Sequence, residues 1–216
     1  MSAAPRTVSL PAPPTSARLR DFYLDYLPKL WAAIFGKKPL PAVPVAVTFT
    51  IVPKSGATEH FTVMAHDRLF ATREGTAEDP LVTCTTTPQA WRLTVRDLLP
   101  RALRLLGPSV ARVRARLDEL AHAPAPLANL VRTLQKSPGS IAIEFTDDAG
   151  DVSACELTIG SGDGPRASLA INDADLWPFL SGEIKFAKLL RSRVRLDGDV
   201  AYLLRLARLF DPTVAR

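Results

Sequence analysis

The chain holds two cysteines, Cys84 and Cys155, and three histidines. None of its apolar runs approaches the roughly 20 residues that a membrane-spanning helix needs. Neither cysteine has CxxC spacing, so the pair implies no disulfide framework; both fall inside strand-like runs and read as small buried hydrophobes. His60 and His66 lie on or beside a hairpin and His122 elsewhere, without a cysteine or carboxylate at ligand spacing, so no metal centre is expected. There is no G-x-S-x-G elbow or other nucleophile signature. Ser161-Gly162-Asp163-Gly164 is glycine-rich, but no helix start follows to receive a phosphate, and it reads as a hairpin loop. Asp147-Asp148 and Asp173/Asp175 pair carboxylates; the first pair precedes a turn and the second opens a helix, where negative charge is favoured. The expectation is therefore a protein that is not an enzyme and uses no cofactor. The stretch Ser2 to Arg20 lacks an apolar signal core and carries Pro5, Pro11, Pro13, Pro14, Arg6, Arg18 and Arg20, the pattern of a disordered arm over 1–20 and of a cytoplasmic protein.

What is present is an uneven charge. The formal net charge is +5, yet Arg92, Arg96, Arg101, Arg104, Arg112, Arg114, Arg116, Arg132 and Lys136 face only Asp97, Asp118 and Glu119 in the central segment. Over 109–121, Val110, Val113, Leu117 and Leu120 form one helical stripe with Arg112 and Arg116 beside it. A solvated face explains this arrangement, and so does an anionic membrane surface. Nucleic acid is not expected, because the strands show no aromatic platform pattern.

The chain also echoes itself. Val47-Thr48-Phe49-Thr50-Ile51 leads to Gly56, and Ile141-Ala142-Ile143-Glu144-Phe145 leads to Gly150. Phe61, Val63 and Ala65 follow the first glycine; Cys155, Leu157 and Ile159 follow the second, at the same offset. The segment Arg68–Thr72 has no counterpart, after which Pro80-Leu81-Val82 to Trp91 meets Pro165-Arg166-Ala167 to Trp177. Alternation of this kind is the period of a half-buried strand, and two repeats of strand, strand, strand and helix are expected. The first copy reads as degenerate: Val110, Val113, Leu117 and Leu120 have helical spacing where a fourth strand would stand. Strands are expected near 45–52, 59–65, 68–73, 81–86, 140–146, 152–159, 166–171 and 193–197. Helices are expected over 21–35 (interrupted at Pro28), 88–106 (kinked at Pro100), 109–121, 126–136, 173–181, 183–190 and 199–210.

The C-terminal run Arg193-Val194-Arg195-Leu196-Asp197-Gly198-Asp199-Val200 reads as a strand, a tight turn and a helix capped by Asp199, with apolar residues at 200, 203, 204, 207 and 210. Upstream, Leu169-Ala170-Ile171-Asn172-Asp173 runs from a strand into an apolar helix that stops at Gly182. This order, over about 140 to 210, resembles the C-terminal half of the sterol carrier protein type 2 lipid-binding domain. The resemblance implies an α+β fold, a curved sheet covered by helices in two related repeats. The arm would span 1–20, a degenerate first repeat with an N-terminal helix 21–137, and the second repeat 138–216. It also implies lipid or sterol binding without chemistry, in a tunnel between sheet and helices. Leu176, Trp177, Leu180, Phe186, Leu203, Leu206 and Phe210 are then the expected lining, because Tyr202, Leu206 and Leu209 extend the apolar surface of the last helix beyond one stripe. The ligand is an apolar small molecule: a sterol, a fatty acyl chain or a quinone. The alternative is a protein–protein interaction or scaffold module of the same fold with no cavity. The richness in Ala, Arg, Pro and Leu suggests a GC-rich bacterial source.

Overall fold

The computed structural model describes residues 10–14, 18–36, 44–66, 69–106, 124–180, 188–189 and 194–209. Alternating apolar residues become strands at every predicted place: β1 Val45–Ile51, β2 Glu59–His66, β3 Leu69–Glu74, β4 Val82–Thr86, β5 Gly139–Thr146, β6 Val152–Ile159, β7 Arg166–Asn172 and β8 Arg195–Gly198. They form one open mixed sheet in the order β3-β2-β1-β4-β6-β5-β7-β8. The helices are α1 Leu27–Phe35, α2 Pro88–Leu93, α3 Leu99–Leu106, α4 Pro124–Gln135, α5 Asp173–Leu180 and α6 Val200–Leu209. No helix among the described residues is long and apolar enough to cross a membrane. The helices expected at 109–121 and 183–190 fall on residues outside the description, apart from 188–189.

Within the sheet, the two halves share a connectivity. In each, the first strand pairs antiparallel with the second and parallel with a later strand: β1 with β2 and β4, β5 with β6 and β7. The hairpin registers match at one constant offset, Val47 opposite Val63 and Ile141 opposite Leu157, Ile51 opposite Glu59 and Phe145 opposite Ser153. The parallel registers match as well: Val47 opposes Val82 as Ile141 opposes Ala167. Antiparallel pairing of β4 with β6 joins the halves. That pairing gives β6 a neighbour where β2 has β3, and gives β4 a neighbour where β7 has β8.

Directly opposed residues share a face of a sheet. One row therefore runs Phe61, Phe49, Cys84, Leu157, Ile141, Ala167 across six strands. Helices cover this face at both ends of the row. On one side Tyr23 stacks on Phe61 with ring centroids 4.6 Å apart, and Phe22, Tyr26 and Trp91 complete an aromatic cluster. On the other, Leu134 of α4 and Tyr202, Leu203 and Leu206 of α6 pack on Ile141, Ile159 and Ala167.

Helical structure runs on through Pro28, where an interruption was expected, and through Pro100, where a kink was expected. Each sits at the second residue of a helix that continues a π-helical turn: Asp21–Tyr26 before Leu27-Pro28, and Thr94–Leu98 before Leu99-Pro100. Leu27 N–H donates to Phe22 and Leu99 N–H to Thr94, five residues back. A wide turn makes room for a ring that would otherwise strike a carbonyl, and the helix runs on. Leu10 and Leu19 pack against the aromatic cluster, and the Tyr26 hydroxyl donates to the Pro11 carbonyl at 3.0 Å.

The last helix turns a different face inward from the one its apolar stripe suggests. Tyr202, Leu203 and Leu206 are buried while Leu204 is 42% exposed. Asp199 caps the helix as expected, accepting from Tyr202 N–H at 2.8 Å. The Tyr202 hydroxyl donates to the Ser137 carbonyl at 3.1 Å, and its ring lies against Gly139, where a Cβ would come within 2.7 Å of it. The glycine and the hydroxyl together set the rotation of the helix.

Candidate functional site

In an open sheet with one covered face, the central strands are ordinarily the most buried. Here the covering is deepest on either side of the centre. Ile51 and Phe61 are 1% and 2% exposed in the first half, and Phe145, Ile159 and Ile171 are buried in the second. At the seam between β4 and β6, Cys84, Thr86, Cys155 and Leu157 are only half-buried, as are Val82 and Ile143 at its border. All six lie on the helix-bearing face by register. The seam is thus an apolar strip flanked by an aromatic cluster and an aliphatic one, and its chemistry suits hydrocarbon better than water.

The residues expected to line a cavity divide between two clusters. Leu203 and Leu206, 7% and 5% exposed, belong to the aliphatic core with Ile141 and Ile159. Leu176 packs against a smaller cluster of Phe145, Ile171 and Leu189. Trp177 is half-buried and engaged in a polar contact. Phe186 and Phe210, and the side chain of Leu180, lie outside the described residues. The structure therefore does not gather Leu176 and Trp177 with Leu203 and Leu206 around one space.

The polar contact ties the halves together. Arg101 on α3 donates from both terminal nitrogens to Asp173 at the start of α5, at 3.0 and 2.8 Å. The indole N–H of Trp177 donates to the same carboxylate, and the Arg101 guanidinium lies 4.4 Å from the centre of the Trp177 ring. Asn172 accepts from Asp175 N–H and takes the capping role, which leaves Asp173 free for Arg101. Burial opposes ionisation of Asp173, but hydrogen bonds from Arg101, Trp177 and Asp148 outweigh it and hold the carboxyl below its usual range. Asp148 is held above its usual range chiefly by its interaction with the Asp173 carboxyl. Its neighbour Asp147 makes the β5–β6 turn, accepting from Ala149 and Asp151 N–H. The two carboxylate pairs read separately in the sequence thus meet through one member of each.

Basic side chains border two clefts beside α2. One of about 580 Å³ is lined by Pro13, Pro14, Arg92, Val95, Arg96, Asp97 and Pro100. A second of about 370 Å³ is lined by Arg18, Leu19, Arg20, Glu59, Pro88, Trp91 and Arg92. Neither includes a residue expected to line the cavity. Arg112 and Arg116, expected at a membrane surface, lie outside the described residues. No group of three or more metal-ligating side chains occurs among the described residues.

What the sequence reading missed is the seam itself. Cys84 and Cys155 both read as strand residues, but alternation carries no record of which strand of one half meets which strand of the other. Comparisons with protein-family models, with curated proteins and with solved structures found no match.

Proposed function

We propose that the protein is a non-enzymatic binder of an apolar small molecule, held between the sheet and its helices at the β4–β6 seam. The observation that carries this reading is the half-buried strip of Cys84, Cys155 and Leu157 between two well-packed flanks. An elongated hydrocarbon laid along the strip would bury apolar surface on both molecules, at about 25 cal/mol per Å² before ordering costs. A sterol, a fatty acyl chain and a quinone all offer such a surface. The exposed Arg92 and Arg96 beside the strip's aromatic flank suit an anionic membrane surface from which such a ligand is collected.

The same reading takes the halves as two repeats of a sterol-carrier-like unit. The shared hairpin and parallel registers support it. In this view each unit supplies the strand that the other lacks: β4 stands beside β6 as β3 does beside β2, and β6 beside β4 as β8 does beside β7.

One observation favours the second reading, an interaction or scaffold module. Leu203 and Leu206 are already packed on the sheet, so the surface expected to face a tunnel is occupied by protein. Native mass spectrometry of the purified full chain separates the two. A co-purifying species of lipid mass, removed by organic extraction and restored by adding a fatty acid, is the expected result; a bare chain that takes up no sterol, fatty acid or quinone supports the scaffold.

A further inference from the structure

The chain's two cysteines come from different halves and meet at the seam. Cys84 of β4 stands opposite Leu157, and Cys155 of β6 stands opposite Thr86. The cysteines are therefore diagonal neighbours on adjacent antiparallel strands and share one face. Both are half-buried and both are free thiols. We infer that Cys84 and Cys155 form a redox-active dithiol that closes to an intrachain disulfide on reaction with a small-molecule disulfide such as glutathione disulfide.

The two sulfurs interact electrostatically. A hydrogen bond from the Cys84 thiol to Cys155, reinforced for Cys84 by burial, holds Cys84 above the ordinary thiol range. The same hydrogen bond supports the Cys155 thiolate and holds that group below it. Either sulfur can open the exchange; in one order Cys155 attacks first. Its thiolate attacks a sulfur of glutathione disulfide, forming a mixed disulfide and expelling one glutathione thiolate, which takes up a proton. Cys84 then gives up its proton, and its thiolate attacks the Cys155 sulfur and expels the second glutathione. Two thiols are oxidised by two electrons, and one glutathione disulfide is reduced to two glutathiones. Diagonal partners in a sheet lie about 7–8 Å apart at Cα, beyond the usual span of a disulfide. Closing the bond therefore requires β4 and β6 to draw together locally at the two cysteines. This inference is independent of any ligand.

The test is incubation of the reduced full-length protein with glutathione disulfide, acid quenching, maleimide labelling and intact mass measurement, with peptide mapping. The expected product is lighter by two hydrogen atoms, takes no maleimide, maps to a Cys84–Cys155 crosslink and returns to the dithiol with excess glutathione. Cys84→Ser should instead stop at a glutathione adduct on Cys155. Stable adducts on both cysteines of the unaltered protein, or no loss of hydrogen while the urea-unfolded chain reacts, would overturn the inference. The mapping uses the unaltered protein, so a variant that fails to fold leaves the decision intact.

Discussion

The two halves of the sheet share strand order and register but not their filling. The first half is sealed with rings: Tyr23 lies against Phe49 and Phe61, and Phe22 sits edge-on to Trp91 at 5.5 Å. The second is sealed with aliphatic side chains from α4 and α6. The opposite face differs too. Thr48 and Thr62 are buried beside the chain that follows β3, with Ala77 N–H donating to Thr48 and Thr62 donating to the Gly75 carbonyl. Their register equivalents Ala142 and Glu156 are exposed. Strand pairing depends on backbone hydrogen bonds and on alternation, so it tolerates any side chain of the right polarity. Covering depends on particular shapes, and each half has found its own. At the seam the two sets meet: the aliphatic cluster reaches Val82 and Ile143, and Tyr23 of the aromatic cluster reaches Cys84.

The largest effects should come from removing each half's main filler. Tyr23→Ala should cost about 3–5 kcal/mol in denaturant unfolding, and Leu206→Ala about 2–4 kcal/mol. Because the halves share one sheet, both substitutions should move a single transition; two separated transitions would make the halves independent units. Next is the clamp between them. Asp173 has 4% of its side chain exposed and Arg101 38%. Arg101→Ala should therefore cost about 2–3 kcal/mol, less than a fully buried pair loses when one partner goes. Asp173 is held below its usual range, so its contribution is fully present above the unfolded carboxyl value of about 4 and is lost as the pH falls through the folded value. The deficit of Arg101→Ala against the parent should shrink accordingly below about pH 4. Asp148, held high by the Asp173 carboxyl, works in the opposite sense: whatever its protonated form contributes is lost as the pH rises through its folded value.

Smaller still is the cost at the paired turns. Gly56 and Gly150 both adopt positive φ, 103° and 85°, with open space where a Cβ would stand. Alanine at either should cost about 1 kcal/mol, through backbone conformation alone. Equal losses in thermal unfolding sharpen the equivalence of the halves; a marked inequality breaks it.

Much of the fold was legible because it rests on local signals. Alternation located all eight strands, Gly56 and Gly150 marked the hairpins, and Asp199 marked the last helix. Four features were not legible. The β4–β6 pairing joins segments with no common turn. The π-helical turns before Pro28 and Pro100 follow from fitting a proline ring into a packed helix, which propensity does not register. The rotation of the last helix depends on the Tyr202 hydroxyl reaching Ser137 and on the missing Cβ of Gly139, both contacts across long stretches of chain. The meeting of Asp148 with Asp173 likewise needs α5 to lie beside the β5–β6 turn.

The apolar strip at the seam is the centre of the functional reading, and one paired titration addresses it. A fluorescent fatty acid is titrated into the parent, Leu157→Trp and Leu206→Trp, with thermal unfolding of each alongside. Leu157 faces the half-buried strip, so tryptophan there should abolish saturable uptake with little change in stability. Leu206 is packed core, so tryptophan there should destabilise by about 1–3 kcal/mol and leave uptake by the folded fraction intact. Saturable uptake by the parent that survives Leu157→Trp, or no uptake by the parent at all, would contradict a ligand site at the seam.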